Sequence, residues 1–70
     1  MENYGESLKF HRETSGLTQT ELASKTGVSQ ESISRWEKGL VLPNIDYCVK
    51  LADFYGITLD ELIGREIKTK

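Results

Sequence analysis

The sequence is poor in several features that mark other classes of protein. It has one cysteine, which excludes an internal disulfide framework and favours a reducing compartment. No apolar run approaches the roughly 20 residues that cross a bilayer, and the N-terminus lacks the apolar stretch of a signal peptide. We therefore expect a cytoplasmic protein with no membrane partner.

Groups that support catalysis or hold a cofactor are also scarce. The chain has one histidine and one cysteine, with no glycine-rich phosphate loop and no cluster of metal-ligand residues. His11 has no second ligand at a suitable spacing, and Cys48 falls on an apolar stripe, so we expect both to be packed side chains. No enzyme activity, cofactor or metal is expected.

An excess of positive charge is missing as well. The net charge is −2, so affinity for nucleic acid must come from a local patch of the surface. Residues 41–66 contain five carboxylates and two cations, a balance of −3. We expect this acidic half of the chain to face away from any phosphate backbone.

What the sequence does contain is a series of short helices with start and stop signals. Seventy residues with one proline suit a single small domain, residues 1–70. In residues 4–15, Tyr4, Leu8 and His11 share one helical face, and Gly16 follows as a stop signal. The last residues, 65–70, are polar, and we expect them to form a frayed tail.

Residues 17–39 predict two helices joined by a tight turn. Thr18 and Glu21 form the pattern of a capping box at the start of the second helix. Gly27 suits the turn, because the backbone there needs a positive φ, and Ser29 caps the third helix. The inward side of this pair is apolar, with Val28, Ile33 and Trp36 among its residues.

The outward side of the third helix is polar, and its residues are Gln30, Glu31, Ser34 and Arg35. A polar helix face is in most proteins only a solvated face. Here the cap, helix, glycine turn, apolar residue, cap and helix follow one another at the spacing of a helix-turn-helix, whose second helix enters the DNA major groove.

The rest of the chain predicts two more helices. The fourth begins at Pro43 or Asn44 and ends at Gly56, and the fifth begins with a second capping box at Thr58 and Glu61. The apolar stripe of the fourth helix consists of Cys48, Leu51, Ala52 and Tyr55.

The segment LTQTELASKTGVSQESISRWEKG resembles the helix-turn-helix of the phage Cro and repressor family, and the resemblance covers nearly the whole chain. It implies a compact all-α fold of five helices, with the helix-turn-helix at helices 2 and 3, about residues 18–38. It also implies a DNA-binding transcriptional regulator, a repressor that binds a palindromic operator as a dimer with helix 3 in the major groove.

The resemblance assigns roles to individual positions. The base-contacting residues it implies are Gln30, Glu31, Ser34 and Arg35, and the phosphate-contacting residues are Thr18, Gln19, Ser32 and Lys38. Gln19 also corresponds to a residue that buttresses the first recognition residue, Gln30. Arg12 and Glu37 match an ion pair that in some relatives ties helix 1 to the end of helix 3.

Residues 40–42 depart from the family pattern, because they are Leu-Val-Leu where relatives commonly carry cations. We expect Leu40 and Leu42 to fold over Trp36. The alternatives are a place in a subunit interface or contact with thymine methyl groups.

Two further interpretations concern partners. The predicted interface of a homodimer comprises Phe54, Leu59, Leu62 and Ile63, whose alternative role is core packing. The competing function is a protein-interaction module of the same fold, such as an antitoxin or a regulator of another repressor, with little DNA binding of its own.

Overall fold

The computed structural model describes residues 3–65, and these residues form an all-α structure. Its helices are α1 (Tyr4–Thr14), α2 (Gln19–Thr26), α3 (Gln30–Glu37), α4 (Ile45–Tyr55) and α5 (Leu59–Ile63). This confirms the predicted five-helix fold and the order of its helices. Within the described part of the chain, no helix is long and apolar enough to cross a membrane. The predicted frayed tail lies outside the described residues, except for Arg65.

Side-chain caps determine where four of the helices begin. The Thr18 hydroxyl accepts from the backbone N–H of Glu21 at 3.0 Å, and the Glu21 carboxylate accepts from the backbone N–H of Thr18 at 2.8 Å. Hydrogen bonding of the Glu21 carboxylate to Thr18, chiefly to its backbone N–H, lowers the pKa of Glu21. Thr58 and Glu61 form the same box at α5, and the side chains of Ser29 and Asn44 cap α3 and α4 by accepting a backbone N–H. Because caps are local contacts, their sequence pattern predicts them well.

One hydrophobic core holds the helices together. Its buried apolar residues are Leu8, Leu22, Val28, Ile33, Trp36, Cys48, Leu51, Ala52 and Leu62. Val28 lies in the turn between α2 and α3 and packs inward, as its position predicts. The helix-turn-helix is therefore fastened to the rest of the domain through its apolar side, which leaves its polar side exposed.

His11 and Cys48 are both packed side chains. The Nε2 atom of His11 lies 2.8 Å from the carbonyl oxygen of Glu61, so the half-buried ring joins α1 to α5. Cys48 is buried on α4, and burial raises the pKa of its thiol. The described residues contain no group of three or more potential metal-ligand side chains.

The expectation that Leu40 and Leu42 cover Trp36 is wrong. Leu40 is 69% exposed and Leu42 is 58% exposed. The chain turns at Gly39, where φ is +75°, and the Leu40 N–H donates to the Arg35 carbonyl at 3.0 Å. This reversal at the end of α3 directs the loop outward, and the ring of Tyr47, 5.3 Å away, packs beside Trp36.

The prediction that Leu62 belongs to a dimer interface is also wrong, because this side chain is buried. Its exposed fraction is 0%, and it sits in the core between α5 and its neighbours. The backbone of α5 docks on α1 at this point, where the Ser7 hydroxyl donates to the Leu62 carbonyl at 2.9 Å. Of the five residues of α5, Leu62 is the buried one.

Gly5 allows the first turn of α1 to touch the end of α3. A Cβ atom at this position would lie 2.5 Å from the carbonyl oxygen of Glu37 and 2.7 Å from that of Trp36. Both atoms belong to the backbone, so relief would require the two helices to separate. A close approach of this kind tolerates only glycine.

We expect Gly5→Ala to destabilise the domain by about 1–3 kcal/mol, because overpacking pushes α1 away from α3. The sign is informative, since Gly→Ala inside an unhindered helix stabilises by about 1 kcal/mol. Urea denaturation followed by circular dichroism measures the change. Lys9→Ala, at an exposed position of the same helix, is the matched control and should change the free energy of unfolding by less than about 0.5 kcal/mol. Equal or greater stability of Gly5→Ala would contradict the close approach.

Candidate nucleic-acid interface

The polar side of α3 forms the exposed part of the helix-turn-helix. Gln30, Glu31 and Arg35 are exposed, and Ser34 is partly buried. The opposite side of the same helix carries Ile33 and Trp36 into the core. All four predicted base-contacting residues therefore lie on the side of α3 that a groove could receive, with the backbone behind them held by packing.

A buried ion pair lies behind this helix. The Nε atom of Arg12 donates to one carboxylate oxygen of Glu37 at 2.7 Å, and Nη2 donates to the other at 2.9 Å. The side chains are only 10% and 5% exposed, respectively. Arg12 also donates from Nη1 to the carbonyl of Leu17 at 2.7 Å. The predicted pair is present, and it joins α1 to the last turn of α3 with both charged groups hydrogen-bonded.

The electrostatics of Arg12 reflect this arrangement. The hydrogen bond to Glu37 raises the pKa of the Arg12 guanidinium, and it outweighs burial, which acts in the opposite direction. A buried cation whose charge is fully hydrogen-bonded is tolerated in a core, whereas an unpaired one is not. Each member of the pair therefore requires the other as its partner in the core.

Gln19 connects the ion pair to the surface. Its Nε2 donates to Oε1 of Glu37 at 2.9 Å, and its Oε1 accepts from Nε2 of Gln30 at 2.7 Å. An unbroken series of side-chain hydrogen bonds thus runs from Arg12 in the core to Gln30 at the start of α3. The contact that the resemblance implies between Gln19 and Gln30 is present.

The predicted phosphate-contacting residues are placed less uniformly. Thr18 and Lys38 are exposed, whereas Gln19 and Ser32 are partly buried. The Thr18 hydroxyl already accepts from the Glu21 backbone, and the Ser32 hydroxyl accepts from that of Ser29 at 2.8 Å. Both hydroxyls keep further bonding capacity. Their contact with phosphate stays a prediction.

The charge of this surface is small. The ion pair with Arg12 neutralises Glu37, so the exposed charges of residues 17–39 are three cations and two carboxylates. The cations are Lys25, Arg35 and Lys38, and the carboxylates are Glu21 and Glu31. Long-range attraction to a phosphate backbone is therefore weak.

Two tyrosines have roles that the periodicity of the sequence does not reveal. The hydroxyl of Tyr4 donates to the carbonyl of Val41 at 3.0 Å, which ties the exposed loop to α1. The hydroxyl of Tyr55 is buried, with no hydrogen-bond partner in the described part of the protein. Burial, with a smaller contribution from Glu37, raises the pKa of Tyr55 to about 12. Both tyrosines lie on apolar stripes, so helical spacing alone assigns them to the core.

Comparison with known proteins gives a consistent result. The sequence profile of the helix-turn-helix family matches residues 8–62. The HTH-type transcriptional activator BcrR of Enterococcus faecalis is 36% identical over 63 residues, which are 90% of this chain and 31% of the activator. The cryptic phage CTXphi transcriptional repressor RstR of Vibrio cholerae is 38% identical over 60 residues, 86% of this chain and 54% of the repressor.

Solved structures agree with these sequence matches. The solution structure of a LexA SOS-response transcriptional repressor from Eubacterium rectale superposes with a TM-score of 0.82 at 31% identity, covering 97% of this chain and 76% of that chain. The chain therefore spans about a third of the enterococcal activator and about half of the phage repressor, but most of the LexA structure.

The ion pair leads to a stability prediction. Removing one partner, as in Glu37→Ala or Arg12→Ala, leaves a buried charge unpaired and should cost about 3–5 kcal/mol. Removing both, as in Arg12→Ala with Glu37→Ala, should cost less than the two single losses combined, because no charge remains buried alone. Chemical denaturation of the four proteins gives the coupling energy.

The exposed pair of Arg65 and Asp60, whose charged atoms are 3.8 Å apart, is the control. Arg65→Ala should change the free energy of unfolding by less than about 1 kcal/mol. Additive losses at Arg12 and Glu37 would show that the two side chains act independently, contrary to the geometry.

Proposed function

Since this chain belongs to the helix-turn-helix family of transcriptional regulators, we propose that it recognises a palindromic operator in double-stranded DNA as a homodimer and represses by occlusion. The observation that carries the proposal is the exposed polar side of α3, held from behind by the buried Arg12–Glu37 pair. The family and its relatives are regulators of transcription, a non-enzymatic class, so the chain is not an enzyme.

The dimensions of α3 suit the major groove. Eight residues make a helix about 12 Å long, and B-DNA admits a helix of this width in its major groove. The first turn presents Gln30 and Glu31, and the second presents Ser34 and Arg35. A glutamine pairs with adenine, an arginine with guanine and a glutamate with the amino group of cytosine, so this surface has the chemistry to read a sequence.

Phosphate contacts fix the position of the helix in the groove. We assign them to Thr18, Gln19, Ser32 and Lys38, which flank the base-reading side chains. The acidic residues Asp46, Asp53 and Asp60 lie on α4 and α5, outside the helix-turn-helix. We propose that these carboxylates face away from DNA bound at α3, because phosphates would repel them.

The dimer is proposed to form through an apolar surface beside the loop of residues 40–42. A groove of about 380 Å³ is lined there by Leu42, Ile45, Leu59 and Ile63, among others. Leu59 and Ile63 belong to the predicted interface, and Leu42 and Ile45 join it in place of buried Leu62. Phe54, the remaining predicted member, is exposed but is not among the residues that line this groove.

Two features favour a second copy of the chain as the occupant of this groove. Leu42 is 58% exposed and Ile45 is 66% exposed, an arrangement typical of interaction surfaces rather than free ones. Charges of both signs, Asp60 and Arg65, are among the residues that line it, so a two-fold arrangement can place opposite charges together.

A DNA-binding experiment tests the first part of the proposal. After selection of bound duplexes from a random pool, Gln30→Ala with Ser34→Ala should lower affinity for the selected operator at least tenfold, because lost base contacts cost about 1–3 kcal/mol each. Fluorescence anisotropy measures affinity for the operator and for a scrambled duplex, which should be bound as before.

Lys38→Ala is the contrasting variant. It should weaken binding to both duplexes alike and reduce the slope of log K against log salt by nearly one. If the double variant retains full activity in the cell and the wild type selects no motif, the protein-interaction module becomes the better account.

A solution experiment tests the interface. Leu42→Asp with Ile45→Asp places unpaired charges in the proposed dimer contact, so the dimer dissociation constant should rise at least about tenfold. Sedimentation equilibrium measures it, and binding to a palindrome should lose cooperativity while half-site binding persists. Phe10→Asp, at a position 61% exposed on α1, is the control and should leave association unchanged. Equal effects of both changes would exclude this surface as the interface.

A further inference from the structure

We propose that the exposed rings of Phe10 on α1 and Phe54 on α4 form a docking surface for a partner protein, which binds through a basic amphipathic helix. This aromatic surface comprises the two phenyl rings and, between them, the rings of His11 and Tyr55. It shares no residue with α3 or with the groove proposed for the second copy. The inference therefore goes beyond the proposed function and does not depend on it.

Both phenylalanines of the chain lie at the surface. Phe10 is 61% exposed and Phe54 is 41% exposed, and the hydrophobic core is built without them. A phenyl ring is large and carries no polar group, so its burial is strongly favourable. The two rings therefore offer a partner apolar area that this domain leaves uncovered.

The two exposed rings belong to one series of aromatic contacts. Measured between ring centroids, Phe10 lies 5.3 Å from His11, and Phe54 lies 5.3 Å from Tyr55. The rings of His11 and Tyr55 are 5.9 Å apart and complete the series. Scattered exposed apolar side chains are common in monomeric proteins, whereas contiguous ones mark interaction sites. The edge contacts at both ends also hold the phenyl rings in place, so docking costs less side-chain entropy.

Carboxylates border the Phe10 end of the aromatic surface. Glu6 is four residues before Phe10 and Glu13 is three residues after it, so the three exposed side chains share one side of α1. Glu61 approaches from α5, where its carbonyl oxygen is 2.8 Å from Nε2 of His11, and its side chain is also exposed. This end of the surface is therefore acidic.

The charge at the Phe54 end is of the opposite sign. Lys50 is exposed and lies four residues before Phe54 on α4, on the same side of the helix. Lys9 and Asp53 are next to the phenylalanines in sequence, but each is turned about 100° away around its helix. The aromatic surface thus has an acidic end on α1 and a single cation at its end on α4.

These charges select the class of partner. Exposed aromatic rings also stack on nucleobases and enter lipid interfaces, but nucleic acids and phospholipids carry phosphates, which carboxylates repel. A protein segment with cations beside apolar side chains suits both properties of the surface. Its apolar side covers the rings, and its cations approach Glu6, Glu13 and Glu61. An amphipathic helix presents side chains in this arrangement.

Phe10 faces away from α3. The side of α1 that carries Gly5 and Arg12 meets the end of α3, and Phe10 is about 150° further around α1 than these two residues. A partner docked on Phe10 therefore leaves α3 accessible. The domain can in this way hold a second protein without covering its polar helix.

Peptide titrations test the inference. The probes are two synthetic amphipathic helices with leucine on one side, and with lysine or glutamate on the polar side. In nuclear magnetic resonance spectra of the isotope-labelled protein, the lysine peptide should shift the backbone amide signals of Phe10 and Phe54 and leave those of α3 unchanged. At low salt it should bind at least about tenfold more tightly than the glutamate peptide.

Three variants locate the contact. Phe10→Ser with Phe54→Ser should raise the dissociation constant of the lysine peptide at least about tenfold, because the rings are its apolar contacts. Glu6→Gln with Glu13→Gln should raise it about three- to tenfold and reduce its dependence on salt. Val49→Ser removes an apolar side chain of similar exposure, 43%, from α4 and should bind the peptide as the wild type does.

Three results overturn the inference: equal binding of the two peptides, full binding by the double phenylalanine variant, or shifts centred on α3 or on the groove of Leu42 and Ile45. Sedimentation equilibrium without peptide examines the remaining occupant. Self-association of the double phenylalanine variant should equal that of the wild type. Weaker self-association would assign the aromatic surface to a second copy of the chain and would also overturn the inference.

Discussion

The buried pair of Arg12 and Glu37 is the contact on which the arrangement of this domain depends. It joins the first helix to the end of the recognition helix, and the close approach at Gly5 brings the same two helices together. The two buried charges are tolerated because each group is hydrogen-bonded and because the charges are of opposite sign. Apolar residues of the same volume could also fill the space. Apolar residues could not supply an acceptor for Gln19, whereas Glu37 does. The ion pair therefore connects the packing of α1 against α3 to the exposed side of α3.

A chain of this size buries a small hydrophobic core, so local contacts such as helix caps also contribute to its stability. Each of α2 to α5 begins with a capping side chain, and α2 and α5 have complete capping boxes. Caps contribute about 1 kcal/mol each and specify where a helix starts, so they also fix the register of the outward residues. The position of Gln30 on the first turn of α3 follows from the cap at Ser29.

How far the sequence predicts the structure depends on the range of the contact concerned. Helix starts such as Thr18, and the inward side of α3, depend on neighbours within a few residues, and both are as predicted. The loop at Leu42 and the burial of Leu62 depend on how separate helices meet, and apolar character alone does not distinguish a core residue from an exposed one. The orphaned hydroxyl of Tyr55 likewise has no signature in helical spacing.

The weak charge of the recognition surface changes what its geometry must achieve. Residues 17–39 carry three exposed cations against two carboxylates, so on the proposed function phosphate attraction would contribute less to affinity and base contacts would have to contribute more of it. Base contacts are directional, so a freely rotating glutamine would lose much of its discrimination to the entropy of ordering it. A side chain already oriented by a buried carboxylate avoids that cost. On the proposed function, the hydrogen-bond series that ends at Gln30 holds one contacting side chain in place, and a second copy of the chain would double the number of directed contacts.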